Sequence, residues 1–341
     1  MKVFAYRNTV EEVQRSSSGG AFIRICKAFE DIHGENNVAF YGATLLENLS
    51  VVHTVVYSAE ACHIFQGSKY VKSDLANCIK SIEFNLNAGK WVLFSGTPCQ
   101  VYAVKRMAEK KRISDRLFLI DVLCHGTAKK SVWADYVQWL SEIKNSELVE
   151  FSFRYKPEGW KAYPGYARFN DGKKMINTAE TSVFSRLHLI GYSIDKECFK
   201  CPFASLKRNG DITLGDYWGI ESINSGIKEI SKGISLIMCN TEYAQEIIEN
   251  IQNKSIECND FIQETNDVDF IKYQDNLKGP TSKPKNYEQF WIDYMSSNFD
   301  DCIRKYIGWG VKYKAIFYIK KYVRKTPVIE MWRKIKYELK K

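Results

Sequence analysis

The segment "KWVLFSGTPCQVYAVKRMAEKKRISDRLFLIDVLCHG", residues 90–126, has the pattern of a buried strand, a helix and a second buried strand. Residues 91–94 are apolar. The Ser-Gly-Thr-Pro turn after them predicts a helix beginning near Cys99, because proline is favoured in a helix's first turn. The second apolar run ends at Cys124. Such a βαβ unit has parallel strands and a right-handed connection, so Cys99 and Cys124 are predicted at one sheet edge, where open α/β sheets bind ligands.

The segments on both sides extend this unit into a larger sheet. Upstream, apolar residues after a Ser/Gly loop follow a helical period, and residues 37–47 and 49–58 alternate as the strands of a hairpin. Downstream, a helix over residues 131–143 is followed by Gly- and Pro-broken segments of strand character. The predicted fold class is α/β (α+β), a central mixed sheet with a parallel βαβ unit, a strand-rich second half and a helical, basic C-terminal extension.

Three regions are expected along the chain. Residues 1–80 form an N-terminal region with two Gly/Ser loops, and residues 81–255 form a central region that contains the βαβ unit. Residues 256–341 form a linker, centred on 275–291, and the helical C-terminal extension.

Two cysteines three residues apart, Cys198 and Cys201, are followed directly by Pro202. Such a pair supplies two ligands to one metal centre and usually needs a second pair from elsewhere in the fold, which Cys99 and Cys124 provide. A single zinc ion in a structural protein would use the same four thiolates. Dithiol exchange is a third hypothesis, weakened because neither cysteine opens a helix after a strand. The other cysteines lack ligand spacing and are expected to pack as small apolar residues: Cys26, Cys62, Cys78, Cys239, Cys258 and Cys302.

Two loops rich in glycine and serine have the composition of anion sites. The first, residues 16–20, precedes a helix whose free N–H groups and dipole favour an anion. The second, around residues 67–73, adds a lysine. On sequence alone either loop is weak evidence for an anion site, and an ordinary helix cap is the simpler alternative.

Six segments in order resemble one known family: "SSSGGAF", "GSKYVKS", "VLFSGTPCQ", "DVLCHG", "FRYKPEGW" and "CFKCPFA…GDITLGDYWG". They resemble the coenzyme F420 hydrogenase/dehydrogenase beta-subunit family over residues 5–245. The resemblance implies an iron–sulfur flavoprotein oxidoreductase in which FAD lies beside a [4Fe-4S] cluster. Electrons would pass between ferredoxin, or a ferredoxin-like subunit, and coenzyme F420 or another hydride acceptor. The N-terminal ferredoxin module of many members is expected to be missing, and the basic extension resembles bacterial members linked to surface-polysaccharide biosynthesis.

The resemblance also implies roles for individual residues. The cluster ligands would be Cys99, Cys124, Cys198 and Cys201. The flavin-binding residues would be Ser17, Ser18, Gly19, Gly20, Gly67, Ser68, Lys69, Tyr70, Ser73, Thr97 and Gln100. Independently of the resemblance, the chemistry of their side chains makes His125, Arg154 and Lys156 the candidate catalytic or substrate-binding residues. A turn histidine explains His125 equally well, and a salt bridge to Asp211 or Asp216 would occupy Arg154 or Lys156.

The positive charge of the chain is concentrated in its last residues. The formal net charge is +9, whereas residues 303–341 alone have thirteen Lys/Arg and two Glu, which leaves −2 on the rest. Aromatic and aliphatic residues interleave with these lysines, which is typical of a helix that contacts a membrane surface or a protein, although packing on its own domain is the simpler alternative. No nucleic-acid-binding motif accompanies the charge. With no signal peptide or membrane span, a cytoplasmic location is expected, with peripheral membrane contact through the extension.

Overall fold

The computed structural model describes residues 1–158, 160–161, 164–224, 226–227, 229–265 and 268–323. The strands are β1 (Lys2–Arg7), β2 (Val38–Leu45), β3 (Val51–Val56), β4 (Trp91–Gly96), β5 (Leu117–Val122), β6 (Leu148–Ser152), β7 (Tyr166–Phe169), β8 (Lys174–Ile176), β9 (Ile212–Asp216), β10 (Ser235–Cys239) and β11 (Phe261–Thr265). The α-helices are α1 (Val10–Arg15), α2 (Ala21–His33), α3 (Cys78–Asn87), α4 (Pro98–Lys111), α5 (Lys130–Lys144), α6 (Val183–Ile190), α7 (Ile220–Ile223), α8 (Glu242–Cys258), α9 (Tyr287–Ser296), α10 (Phe299–Ile307) and α11 (Val311–Val323).

Eight strands form one mixed sheet in the order β11-β1-β10-β9-β5-β4-β2-β3. The pairs β2–β4, β4–β5 and β5–β9 are parallel, so these four strands end at the same edge of the sheet. Because β10 runs antiparallel to β9 and β1 antiparallel to β10, the segment after β1 reaches that same edge. The topology therefore gathers the loop after β1 and the ends of β4, β5 and β9 in one place.

Apolar layers cover both faces of this sheet. On one face, α2 and α8 bury residues such as Ile25, Phe29 and Ile248 against the strands. On the other, α3 and α4 bury Ile82, Val101 and Val104. The helices are amphipathic at helical spacing, so each buries one stripe on the sheet.

A second, three-stranded antiparallel sheet has the order β6-β7-β8. Its aromatic core is shared with α5, α6 and the C-terminal helices, through residues such as Trp133, Phe184 and Phe290. The expectation of a linker at residues 275–291 was wrong in part. A 3-10 turn occupies Asp275–Leu277 and α9 begins at Tyr287, whose hydroxyl donates to Ile194 O at 2.7 Å.

The predicted fold class is confirmed: a mixed sheet with the parallel unit β4–α4–β5, further strands in the second half and helices at the C-terminal end. Sequence reasoning missed β1 and β11, which form the antiparallel end of the sheet. The first helix after the second Gly/Ser loop is α3, which begins at Cys78. Residues 324–341, the last part of the predicted basic extension, lie outside the described residues.

Candidate functional site

A large cavity of about 460 Å³ opens at the carboxyl edge of the parallel strands. Open α/β sheets bind ligands at this position. Ten of the eleven side chains or backbones predicted to bind a cofactor lie in its wall: Ser17, Ser18, Gly20, Gly67, Ser68, Lys69, Tyr70, Ser73, Thr97 and Gln100. We call this space the large cavity.

The serine loop, residues 16–20, leads from α1 into α2 along one wall of the large cavity. No side chain caps α2, whose N-cap Gly20 has a φ of +82°. Within the described chain, the backbone N–H groups of Ser17, Ser18 and Gly20 have no intramolecular acceptor. Free N–H groups ahead of a helix N-terminus are a site for an anion.

Gly19 lies behind this loop and does not line the cavity. A Cβ at Gly19 would be 2.2 Å from Tyr6 O and 2.5 Å from Ser235 N, so only glycine fits between the loop and strands β1 and β10. Its N–H donates to Ser235 Oγ at 2.9 Å. Gly19 therefore fixes the position of the serine loop from behind.

Lys156, predicted as a catalytic residue, also lies outside the walls of the two described cavities. Its Nζ donates to Ser18 O at 2.5 Å and to Ser16 O at 3.4 Å. Burial lowers the pKa of Lys156 to about 7, with a smaller contribution from the charge of Arg154. Lys156 thus binds the carbonyl groups of the serine loop, and these contacts stabilise the conformation of that loop.

The second Gly/Ser loop, residues 67–73, is joined to the serine loop. Ser68 donates to Ser17 Oγ through its backbone N–H at 2.7 Å and through its hydroxyl at 2.9 Å. Lys69 Nζ donates to Phe65 O at 2.9 Å and Gln66 O at 2.8 Å, and burial lowers its pKa to about 7. The wall of the large cavity therefore contains Lys69, a cation with a lowered pKa, together with the free backbone N–H groups of the serine loop.

A buried histidine that sequence reasoning missed lies in the wall of the large cavity. His53 Nε2 is 3.0 Å from Ser95 O, and Ser73 Oγ is 2.8 Å from His53 Nδ1. Gln100 donates to Ser73 Oγ at 2.8 Å and accepts from Thr97 N at 3.0 Å. Burial lowers the pKa of His53 to about 4, so a neutral imidazole donates through Nε2 and accepts through Nδ1. This chain of bonds fixes Ser73, Thr97 and Gln100.

The four cysteines of the predicted ligand set line one small cavity of about 40 Å³, which we call the cysteine cavity. Cys99 lies in the first turn of α4 and is exposed. Cys124 follows β5 by two residues. Cys198 and Cys201 lie in and after a 3-10 turn at Lys196–Lys200. The structure therefore brings together three segments that are distant in sequence.

The four thiols line the cysteine cavity. Among the described residues, no three His, Cys, Asp or Glu side chains are arranged to hold a single metal ion. A zinc ion needs four ligands, with sulfur at about 2.3 Å. Burial raises the pKa of Cys124 to about 12 and raises that of Cys198. A cationic centre between the sulfurs would reverse this effect, because metal coordination deprotonates thiols.

A buried ion pair holds the loop of Cys198 and Cys201 against the sheet. Arg208 Nη2 lies 2.5 Å from Asp121 Oδ1, and both side chains are at most 2% exposed. Arg208 Nη1 also donates to Phe203 O at 3.0 Å, and Asp121 Oδ2 accepts from Gly210 N at 3.1 Å. The pair therefore fixes this loop to β5, the strand that leads to Cys124.

The two cavities share a wall formed by residues 124–127. His125 lines both cavities, and burial lowers its pKa. Thr281 Oγ1 donates to His125 O at 2.6 Å, so the segment expected to be a linker closes over this wall. A Cβ on Gly126 would be 2.7 Å from Ile194 Cγ2, so the wall has no room for a larger residue.

Arg154, the third residue predicted to be catalytic, lies in the wall of the large cavity. It forms a salt bridge with Asp216 at 2.5 Å and lies 6.0 Å from the ring centroid of Trp218. Trp160 Nε1 donates to the other carboxylate oxygen of Asp216 at 2.7 Å. Of the two partners that the sequence allowed, Asp211 and Asp216, Arg154 therefore forms its salt bridge with Asp216. Asp211 instead accepts from Leu119 N at 2.8 Å.

The fold and the two cavities define the class: an α/β protein with a large ligand cavity and a thiol-lined cavity at one sheet edge. Residues 89–265 match the family described as the C terminus of the beta subunit of coenzyme F420 hydrogenase/dehydrogenase. The chain belongs to this family, as the sequence motifs predicted. All four cysteines of the cysteine cavity lie inside the matched range, whereas both Gly/Ser loops lie outside it.

The fold is similar to that of a solved chain in the F420-reducing [NiFe] hydrogenase complex from Methanosarcina barkeri, from a xenon derivatization study. The TM-score is 0.51 at 14% sequence identity, and the similarity covers 87% of this chain and 93% of that chain. No curated protein matches the sequence significantly. At this identity the likeness establishes the fold alone, which agrees with the predicted fold class.

Proposed function

We propose that this chain is an iron–sulfur flavoprotein oxidoreductase with a [4Fe-4S] cluster in the cysteine cavity and FAD in the large cavity. Membership of a hydrogenase/dehydrogenase subunit family supports the reaction class. The observation that carries the proposal is the shared wall, residues 124–127, between a thiol-lined space and a large polar one. When bound, a cluster supplies single electrons and a flavin exchanges hydride.

The residues of the cysteine cavity fit a [4Fe-4S] cluster in number and type. Four thiolates are the usual ligands of a [4Fe-4S] cluster. Here the side chains of four cysteines from three distant segments line one cavity. Cys99, Cys124, Cys198 and Cys201 would be the ligands, and the Arg208–Asp121 pair would keep the second pair of cysteines opposite the first.

The residues of the large cavity fit a dinucleotide. The diphosphate would bind at the free N–H groups of Ser17, Ser18 and Gly20, with Lys69 as the nearby cation. Lys156 would keep the loop carbonyls turned away from it. The Ser73–Gln100–Thr97 chain would supply a rigid polar wall for the rest of the cofactor.

Around the shared wall, two side chains would handle the substrate. Arg154 would attract an anionic group of coenzyme F420 or another hydride acceptor, while its salt bridge to Asp216 holds its position. Burial lowers the pKa of His125, which favours its neutral form, and the imidazole would hold or release a proton at a ring nitrogen. Both assignments place the reacting group near residues 124–127.

Electron partners would approach from the exposed side of the cysteine cavity. Cys99 is the exposed member of the four, so a ferredoxin or a ferredoxin-like subunit would exchange electrons there. A cytoplasmic location is consistent with ten unpaired cysteines in the reduced state. Among the described helices, none has the length and apolar character to cross a bilayer.

The spectrum and metal content of protein purified without oxygen test the proposal. We expect a brown protein with broad visible absorbance, about four irons and four sulfides per chain, and FAD released on denaturation. A colourless protein with one zinc per chain would contradict the cluster and support a zinc-stabilised structural protein. Iron without flavin would contradict the assignment of the large cavity.

A further inference from the structure

The helix α11, Val311–Val323, is apolar on two opposite faces. One face packs on the protein, where Tyr313 and Phe317 join the core of the small sheet and Ser182 lies 2.9 Å from the Tyr313 hydroxyl. Helical spacing places Val311, Ala315 and Tyr322 on the other side. The structure leaves that outer side exposed, so the packing of α11 does not use it.

The outer face of α11 exposes several large apolar side chains to solvent. The exposed fractions are 88% for Val311, 62% for Ile319 and 76% for Tyr322. Ile316 and Tyr318 are 41% and 45% exposed. Single exposed apolar residues are common, but a continuous apolar patch marks an interaction site.

The charges around this face have one sign. The helix contains Lys312, Lys314, Lys320 and Lys321 and no acidic residue. Lys314 and Lys321 are directed to the protein, since Lys314 pairs with Glu180 at 2.9 Å and Lys321 donates to Asn177 O at 2.7 Å. Lys312 and Lys320 are exposed beside the apolar residues. The last 39 residues have a net charge of +11, against −2 for the rest.

We propose that the outer face of α11 binds the surface of an anionic lipid bilayer. Apolar residues flanked by lysines on a helix lying along a surface are the features that insert at the headgroup boundary. Basic residues at this boundary are attracted to negatively charged lipids, and their alkyl chains extend toward the headgroups. A second copy of this chain fits less well, because a two-fold contact through this face would set lysines against lysines.

Vesicle binding by the full chain tests this surface. We expect sedimentation with vesicles of phosphatidylcholine and phosphatidylserine, less with phosphatidylcholine alone, and weaker binding at high salt. Ile319→Asp should weaken binding on the order of tenfold. Ile256→Asp is the matched control, because Ile256 is 95% exposed on α8 and its change should leave binding intact. Lys320→Glu should also weaken binding without altering thermal unfolding.

Three results would overturn the proposal. The first is that the wild-type chain fails to bind phosphatidylserine vesicles. The second is equal loss of binding by Ile319→Asp and Ile256→Asp, which would make binding non-specific. The third is a dimer, measured by analytical ultracentrifugation, that Ile319→Asp dissociates while vesicle binding is unchanged. That result would identify a second copy as the occupant.

Discussion

The cysteine cavity and the large cavity share a wall but are built from different parts of the chain. Side chains make the cysteine cavity: four thiols, held by the buried pair Arg208–Asp121. Backbone groups make the anion side of the large cavity, where loop N–H groups are free and lysines hold the loop carbonyls. The cysteine cavity therefore depends on the identity of its side chains, whereas the anion side of the large cavity depends on the geometry of its loops. Substitutions should therefore act in an all-or-none way on one cavity and by degrees on the other.

The largest effect is expected from Cys198→Ser. In the proposed cluster site, losing one of four thiolates removes a ligand that serine does not replace, so we expect almost no iron in the purified variant. FAD should remain bound, because the serine loop is untouched. Iron and flavin analysis of the same sample checks this.

Cys258→Ser is the control, since Cys258 lies at the end of α8, away from both cavities. Equal iron loss in both variants would mean that the ligand set is wrong.

The next effect is expected from Arg208→Met, which leaves Asp121 buried without its cation. Breaking a buried pair in this way costs about 3–5 kcal/mol of unfolding free energy. We also expect reduced iron content, because the loop of Cys198 and Cys201 loses its anchor. Urea unfolding under anaerobic conditions measures the first quantity.

Arg106→Met provides the comparison, because Arg106 and Glu109 form an exposed pair with 64% and 37% side-chain exposure. Surface pairs are worth about 0–1 kcal/mol. If both variants lose the same stability, the buried pair does not have the role assigned to it.

A smaller, graded effect is expected from Gly19→Ala at the large cavity. The added Cβ would meet Tyr6 O and Ser235 N, so the serine loop must shift. Overpacking of this kind costs about 1–3 kcal/mol, and we expect weaker FAD binding with normal iron content. Gly279→Ala is the control, since no atom lies within 4 Å of its Cβ position. Flavin retention after gel filtration distinguishes the two variants.

The smallest effect concerns pH. Burial lowers the pKa of Lys69 to about 7, so above pH 7 the free protein must take up a proton to present a cation to an anionic ligand. FAD affinity of the apoprotein should therefore fall as pH rises from 7, by at most about tenfold per unit. Lys69→Met should weaken binding at pH 6 and remove this slope.

Lys72→Met, which changes an exposed lysine, should keep the slope of the wild type. Fluorescence titration with FAD between pH 6 and 9 measures it. A slope that survives in Lys69→Met would assign the pH dependence to another group.

Local patterns predicted the parts of the molecule that depend on neighbouring residues. The apolar run before Pro98 and the run before Cys124 identified the βαβ unit, and the topology of that unit placed Cys99 near Cys124. The C-x-x-C spacing identified the other pair. That all four cysteines meet was a hypothesis from residue type, which the structure supports only as placement around one cavity.

Local sequence patterns did not predict the contacts between residues that are distant in the chain. Nothing local indicates that Arg208 pairs with Asp121, 87 residues away, or that Lys156 binds the serine loop, 138 residues away. The edge position of the serine loop follows from β1, a strand that the pattern did not reveal. The segment at 275–291 has the composition of a linker, yet Thr281 bonds to His125 because tertiary contacts outweigh composition.

Electron transfer across the wall at residues 124–127 is the central claim, and reduction of bound flavin by reduced ferredoxin tests it most directly. In anaerobic stopped-flow, the wild-type protein should lose flavin absorbance on mixing with reduced ferredoxin. FAD-loaded Cys198→Ser should stay oxidised over the same time, although dithionite reduces its flavin. Equal rates of flavin reduction by ferredoxin in the two proteins would contradict the account.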